Sequence, residues 1–366
     1  MPTADREPSI GPFTAGVTGP EGRSRRMSSP ASEIRHATPV VREGELPLAD
    51  PFPLHHGGVL PGARLAWRLE GAATDPVFIV LGGISASRRV FGEDAATGAR
   101  GWWCEVVGPG LALDTNRVQV LGIDFLGGSG RSTGPACDDA FPSLSSRDQA
   151  TALVALLDHL GIGRVQAILG ASYGGMVALA FGEMYPDRVV HLGIISAADM
   201  PHPMATAWRS VQRGILRMGI ANGCAREGIV LARALAMSTY RSAEEFAERF
   251  RGEPRFEGEP HPVFPVEDYL LSRGRAYADS YKPESFLCLS ESIDLHRVDA
   301  TRIRVPVELI AVREDQLVPL GDLEALAARL PNAQLHVISS LYGHDAFLKE
   351  PAQLRPILES LFRSTP

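Results

Sequence analysis

Residues 165–186 read VQAILGASYGGMVALAFGEMYP. A β-compatible apolar run (VQAIL) leads into Gly170-Ala171-Ser172-Tyr173-Gly174, and a helix-compatible run (MVALAFGEMYP) follows one further glycine. Strand, sharp turn and helix in that order are the context in which a G-x-S-x-G sequence forms a nucleophile elbow. The demand is steric. A serine at the tip of such a turn adopts a strained backbone conformation, and its neighbours two residues away must be small enough to let the turn close. The turn lifts the serine hydroxyl out of the sheet edge and aims it at the start of the helix. The plain alternative is a glycine-rich turn carrying a solvent-facing serine.

Working outward, short apolar segments at 63–69, 77–81, 118–123, 165–169, 191–196, 305–312 and 334–338 read as strands. They are separated by helical patterns such as 146–160, 175–185 and 320–330. That alternation predicts an α/β fold with a mostly parallel sheet covered by helices on both faces. The stretch 199–302 breaks the rhythm with mainly helical patterning (VLARALAMSTY, AEEFAERF) and reads as a helical lid inserted into a core of 46–198 and 303–366. Residues 1–45 are rich in Pro, Gly, Ser, Thr and Arg without apolar periodicity, so they are expected to form a disordered extension. Met27, following the basic Arg23–Arg26 stretch, is an alternative start.

Composition narrows the class. Over 366 residues the chain is 45% hydrophobic and 22% charged, with a net charge of −7. This balance is ordinary for a globular protein and argues against nucleic acid as a partner. No stretch reaches the roughly 18 apolar residues of a membrane span. Cys104, Cys137, Cys224 and Cys288 are scattered, with no C-x-x-C pair, and read as free thiols in a cytoplasmic protein without a metal centre.

A serine hydroxyl is a poor nucleophile near neutral pH and needs a base, which in turn needs an orienting acid. In the α/β-hydrolase fold their chain order is serine, acid, histidine. Of ten histidines, His344 lies in a loop (LYGHDAFL) after the last predicted strand. Asp315 directly follows the apolar run that ends at 312, with Glu314 a competing acid and Asp294 a more distant one. Ser172, Asp315 and His344 thus fall in order, each at the carboxyl end of a strand, where open α/β sheets place their sites. For the oxyanion, the expected donors are the N–H groups of Tyr173 and of Ile84, the latter in the glycine-rich loop Gly82-Gly83-Ile84-Ser85.

Further segments resemble one family. VGPGLALDTNRVQVLGIDFLGGSGRSTGP (107–135), GASYGGMVALAFGEMYPDRV (170–189), WRSVQRGI (208–215), TYRS (239–242) and YGHDAFL (342–348) are similar to segments of the homoserine O-acyltransferases of the MetX type. The resemblance runs from about Pro51 to the end. It implies an acyl-serine formed from an acyl-CoA, release of CoA, and acyl transfer to the hydroxyl of an amino acid at the entry to methionine synthesis. It further implies that Arg213 holds the acceptor's carboxylate, that Asp345 holds its ammonium group, that no cofactor stays bound, and that the protein is a homodimer.

Two loops depart from the family pattern. GGISASRRV carries Arg89 where many members have histidine, and GGSGRSTGP moves an arginine to position 131. Arg88, Arg89 and Arg131 would then border the acyl channel and favour succinyl-CoA, whose extra carboxylate seeks a cation, over acetyl-CoA. Surface solvation and CoA phosphates account for these arginines almost as well. The leading expectation is a homoserine O-succinyltransferase, with acetyl transfer, serine acylation and simple ester hydrolysis as alternatives.

Overall fold

Val77–Leu81 reads VFIVL and every one of its residues is buried, the pattern of an inner parallel strand covered on both faces. In the computed structural model, which describes residues 40–94, 96–136, 141–256 and 261–363, this segment lies inside an eight-stranded sheet. Cys137 and Met27 lie outside the described residues.

The strands are β1 (Val40–Pro47), β2 (Arg64–Gly71), β3 (Val77–Leu81), β4 (Gln119–Ile123), β5 (Val165–Ala171), β6 (Val189–Ile195), β7 (Val307–Val312) and β8 (Ala333–Ile338). Their spatial order is β1-β2-β4-β3-β5-β6-β7-β8. The first two pairings are antiparallel and the rest parallel. Alternate side chains of β3 enter different cores: Val77, Ile79 and Leu81 join the larger cluster, Phe78 and Val80 the other.

Helices α1 (Ser146–His159) and α2 (Tyr173–Met184) pack in the core; after β6 come α3 (Pro203–Ala221), α4 (Ala225–Tyr240), α5 (Ala243–Arg249), α6 (Pro265–Ala278) and α7 (Pro283–Asp294), and α8 (Leu320–Arg329), α9 (Ala346–Lys349) and α10 (Pro351–Arg363) return to the core. Helices α3 to α7 stand between adjacent strands β6 and β7, and four of them share a small cluster of their own: Leu216 of α3, Ile229 of α4, Tyr277 of α6 and Phe286 of α7 are buried in it with Tyr281 from the α6–α7 connection. Helix α2 is buried along nearly its whole length because its sequence is apolar on all sides.

One expectation needs correcting. Val40–Pro47 already belongs to the sheet, six residues ahead of the anticipated core boundary at 46, because 40–47 pairs residue by residue with β2. As an edge strand β1 is mostly exposed, so it carries little apolar signal; pairing with β2 holds it together with the buried Leu46 side chain and the ion pairs of Glu43 with Arg68 and Glu45 with Arg131.

Close packing at the elbow makes a testable demand. A Cβ on Gly170 would collide with the Gly174 carbonyl, whereas one on Gly163 would meet open space. Gly170→Ala is expected to lower unfolding free energy by about 1–3 kcal/mol, and Gly163→Ala by less than about 0.5 kcal/mol, as measured by denaturant unfolding.

Candidate active site

Ser172 sits between β5 and α2 with φ 55° and ψ −123°. A non-glycine residue in this region stores about 1–3 kcal/mol of strain, which the surroundings must offset. They do so with fixed hydrogen bonds: Ser172 N–H donates to the Ile195 carbonyl (2.9 Å), and Gly174 N–H to the Gly82 carbonyl (2.9 Å). Gly174 itself lies against the Leu81 backbone, where a Cβ would not fit.

His344 Nε2 lies 2.8 Å from Ser172 Oγ, and its Nδ1 lies 2.7 Å from Asp315 Oδ2. The remaining Asp315 oxygen accepts from the N–H groups of Leu317 (2.8 Å) and Val318 (3.0 Å), so the carboxylate is held on both sides. Asp315 is 4% and His344 6% exposed. Burial disfavours an imidazolium at His344, but the charge and hydrogen bond of Asp315 outweigh it, and the imidazole pKa stands above 6.5. The competing acids are engaged elsewhere. Glu314 accepts from Ser339 Oγ and from the Ser340 N–H (2.8 Å), tying down the loop that leads to His344. Asp294 accepts from Thr206, Arg209 and Arg213. The arrangement is therefore a buried acid–imidazole–hydroxyl chain suited to nucleophilic attack on an acyl carbonyl.

Ile84 and Tyr173 both line the cavity onto which Ser172 and His344 open. Their N–H groups donate to no protein acceptor among the described residues. The Tyr173 phenol points the other way, to Ser292 Oγ at 2.6 Å. The cavity holds about 230 Å³. That is below the roughly 300–1,000 Å³ of drug-sized sites, a fit for small metabolites rather than long acyl chains.

The charged residues expected around the site are distributed differently. Arg213 does not line the cavity; it is buried between α3 and α7, donating to Asp294 (2.6 Å) and to Ser290 (3.0 Å). Arg88 pairs with Asp124 (2.8 Å), Arg89 with Asp94 (2.6 Å) and Arg131 with Glu45 (2.6 Å), and none of the three reaches the cavity wall. Asp345 lies beside His344 but is ion-paired with Arg241 at 3.1 Å and is not among the cavity-lining residues.

Two other arginines stand on the wall. Arg209 shares the single carboxylate of Asp294 with Arg213, leaving a surplus positive charge. Arg233 has no ion-pair partner among the described residues; its guanidinium lies over the rings of Tyr240 (5.0 Å) and Tyr277 (4.5 Å) and donates to the Tyr240 hydroxyl. Burial opposes its charge, but Tyr240, Tyr277 and Asp345 outweigh that and keep it a cation. The sequence did carry a signal for it. Arg233 is the one charged residue in IVLARALAM (229–237), an otherwise apolar helical run. Gln212, 4% exposed, also faces this cavity, and its side-chain amide makes no hydrogen bond among the described residues.

A family model described as the alpha/beta hydrolase fold matches residues 76–351. The chain is 41% identical to homoserine O-succinyltransferase of Xanthomonas campestris pv. campestris, over 90% of this chain and 86% of that one. It is 32% identical to homoserine O-acetyltransferase of Thermobifida fusca (92% and 99% covered) and to serine O-succinyltransferase of Litchfieldella anticariensis (85% and 95%). Among solved structures it is similar to homoserine O-acetyltransferase from Bacillus anthracis (TM-score 0.80, 17% identity, covering 89% of this chain and 98% of that one). Esterase E22 is nearly as similar (TM-score 0.79, 19% identity, 88% and 100%), so the fold alone does not separate transferase from hydrolase.

The base must be neutral to accept the serine proton. With p-nitrophenyl acetate as probe, kcat/KM is expected to fall as pH drops through a pKa above 6.5. Asp315→Asn should move that limb to lower pH, because burial then meets only the weaker opposing charge of Asp345, and cut the plateau by about 10⁴-fold. An unmoved limb would assign the titration to another group.

Proposed function

This chain belongs to the homoserine O-acyltransferase family of the α/β-hydrolase superfamily, and from there we propose that it moves a succinyl group from succinyl-CoA to the hydroxyl of L-homoserine through an acyl-Ser172 intermediate. His344 takes the Ser172 proton as Oγ attacks the thioester carbonyl. The N–H groups of Ile84 and Tyr173 stabilise the oxyanion, at the N-terminus of α2 where the helix dipole favours negative charge. The thioester C–S bond then breaks and the CoA thiol departs with the proton from His344. The homoserine hydroxyl next gives its proton to His344 as its oxygen attacks the acyl-serine carbonyl; the bond from that carbon to Ser172 Oγ then breaks, the ester leaves, and His344 returns the proton to Oγ.

The observation that carries this reading is the pair of wall arginines. A neutral ester needs no buried cation, whereas the acceptor and the acyl group each bring a carboxylate. Arg233, lacking a carboxylate partner and close to the Asp345 charge, suits the carboxylate of the amino acid. Arg209 suits the free carboxylate of the succinyl group, since it lines the same cavity as Ser172 and His344. Asp345, next to His344 in the chain and paired with Arg241, is the acidic charge assigned to offset the ammonium group from behind the wall. Bound this way, the homoserine hydroxyl outcompetes water by effective concentration. Serine is shorter by one methylene, a difference worth about 1–3 kcal/mol in a fitted pocket.

A homodimer fits the outer face of the lid. On α3, Met204, Val211 and Met218 are 51%, 55% and 63% exposed at heptad spacing, with exposed Ala207 and Gly214 between them. Such a stripe admits close approach of a second helix. Sedimentation equilibrium is expected to give a dimer that Val211→Glu converts to monomer.

Thiol release measured with succinyl-CoA or acetyl-CoA, crossed with homoserine or serine, tests the reaction itself. The fastest pair should be succinyl-CoA with homoserine. Arg233→Leu should raise the homoserine KM by about 10- to 100-fold with either donor, the scale of a lost charged hydrogen bond. Arg209→Leu should lower kcat/KM for succinyl-CoA alone. Equal thiol release with and without homoserine would make the protein an esterase.

A further inference from the structure

The loop that presents the Ile84 amide is tied down at three successive carbonyls. Gly82 O accepts from Gly174 N–H (2.9 Å), Gly83 O from Ala86 N–H (2.9 Å), and Ile84 O from the phenol of Tyr281 (2.8 Å). The first bond comes from the elbow and the second from the loop itself. The third comes from the segment between α6 and α7, 197 residues further along the chain.

The direction of these bonds matters because a trans peptide sets its C=O and N–H on opposite sides of one plane. Holding the Gly83 carbonyl therefore aims the Ile84 N–H away from Ala86. Holding the Ile84 carbonyl fixes the next plane, so neither dihedral at Ile84 can drift. Without the Tyr281 bond the Ile84–Ser85 peptide loses its only side-chain restraint among the described residues, and the Ile84 amide gains freedom with it.

Tyr281 is built as a rigid support. It is 8% exposed and packs in the lid cluster, stacked on Tyr277 at 4.8 Å and 27°. The Tyr277 hydroxyl in turn lies 3.3 Å from Ser85 Oγ, a longer contact to a side chain that holds none of the loop's peptide planes. Tyr281 does not line the cavity onto which Ser172 opens. Burial keeps its phenol protonated, so it remains a donor.

We propose that Tyr281 is a positioning residue for the oxyanion hole: its hydrogen bond to the Ile84 carbonyl lets the lid set the geometry in which the Ile84 amide meets the developing oxyanion. This inference rests on the acyl-transfer reading above. It makes the lid a working part of bond making at Ser172, in addition to a wall around the substrates.

Tyr281→Phe removes the hydroxyl and keeps the ring. It is expected to lower kcat at least about tenfold with succinyl-CoA and acetyl-CoA alike, short of the roughly 10²–10³ for deleting an oxyanion donor outright. KM for homoserine should stay within about twofold, since no substrate contact is lost. Phosphonylation of Ser172 by a p-nitrophenyl phosphonate, which passes through the same oxyanion geometry, should slow in parallel. Tyr277→Phe removes a phenol from the same cluster without touching the carbonyl and should cost less than about threefold in kcat. Unchanged kcat in Tyr281→Phe, a raised KM at unchanged kcat, or equal losses in the two variants would each overturn the proposal. Absence of thiol release by the unmutated enzyme would instead overturn the acyl-transfer reading, and this inference with it.

Discussion

At Ser172 the chain has to turn from a buried strand into a buried helix at a positive φ of 55°, and the rest of the site depends on that turn. The turn closes only because Gly170 and Gly174 leave room for each other and for the Leu81 backbone. Closing it brings the Ser172 hydroxyl within 2.8 Å of His344, sets the Tyr173 amide at the head of α2, and locks the Gly82 carbonyl to the elbow. The strain is borne by the surrounding sheet, whose two cores cover β5 on both faces.

The elbow, its acid and its histidine were legible in the sequence because each follows an apolar strand, and strand ends cluster at one edge of a parallel sheet. Glu314 and Asp315 are neighbours in sequence, and only the structure distinguishes them: one carboxylate reaches His344, the other Ser339 and Ser340. The arginines were not legible in the same way. A guanidinium takes its direction from whichever carboxylate lies in reach, and those partners (Asp124, Asp94, Glu45 and Asp294) come from distant or unpatterned segments. Arg213 therefore turns into the α3–α7 interface, while Arg233 stays over two tyrosine rings on the cavity wall. Strand β1 escaped for a related reason, since an exposed edge strand leaves little apolar imprint.

Fold and chemistry separate cleanly in this molecule. The sheet, the elbow and the acid–imidazole–hydroxyl chain suit an esterase as well as an acyltransferase, and solved structures of both kinds are equally similar. What favours transfer comes from the inserted helices. They supply Arg209, Gln212, Arg233 and Tyr240 to the cavity and send Tyr281 to the loop opposite Ser172. Charge inside a small cavity costs desolvation unless a ligand or partner compensates it. Arginines retained there match substrates that carry carboxylates.

The central claim is an acyl group held on Ser172 until an amino-acid hydroxyl removes it. Intact mass spectrometry of the enzyme quenched after mixing with succinyl-CoA tests it most directly. One added succinyl group is expected, mapping to Ser172, absent in Ser172→Ala, and lost far faster on adding homoserine than in buffer alone. No adduct at Ser172, or an adduct that water removes as fast as homoserine does, would contradict it.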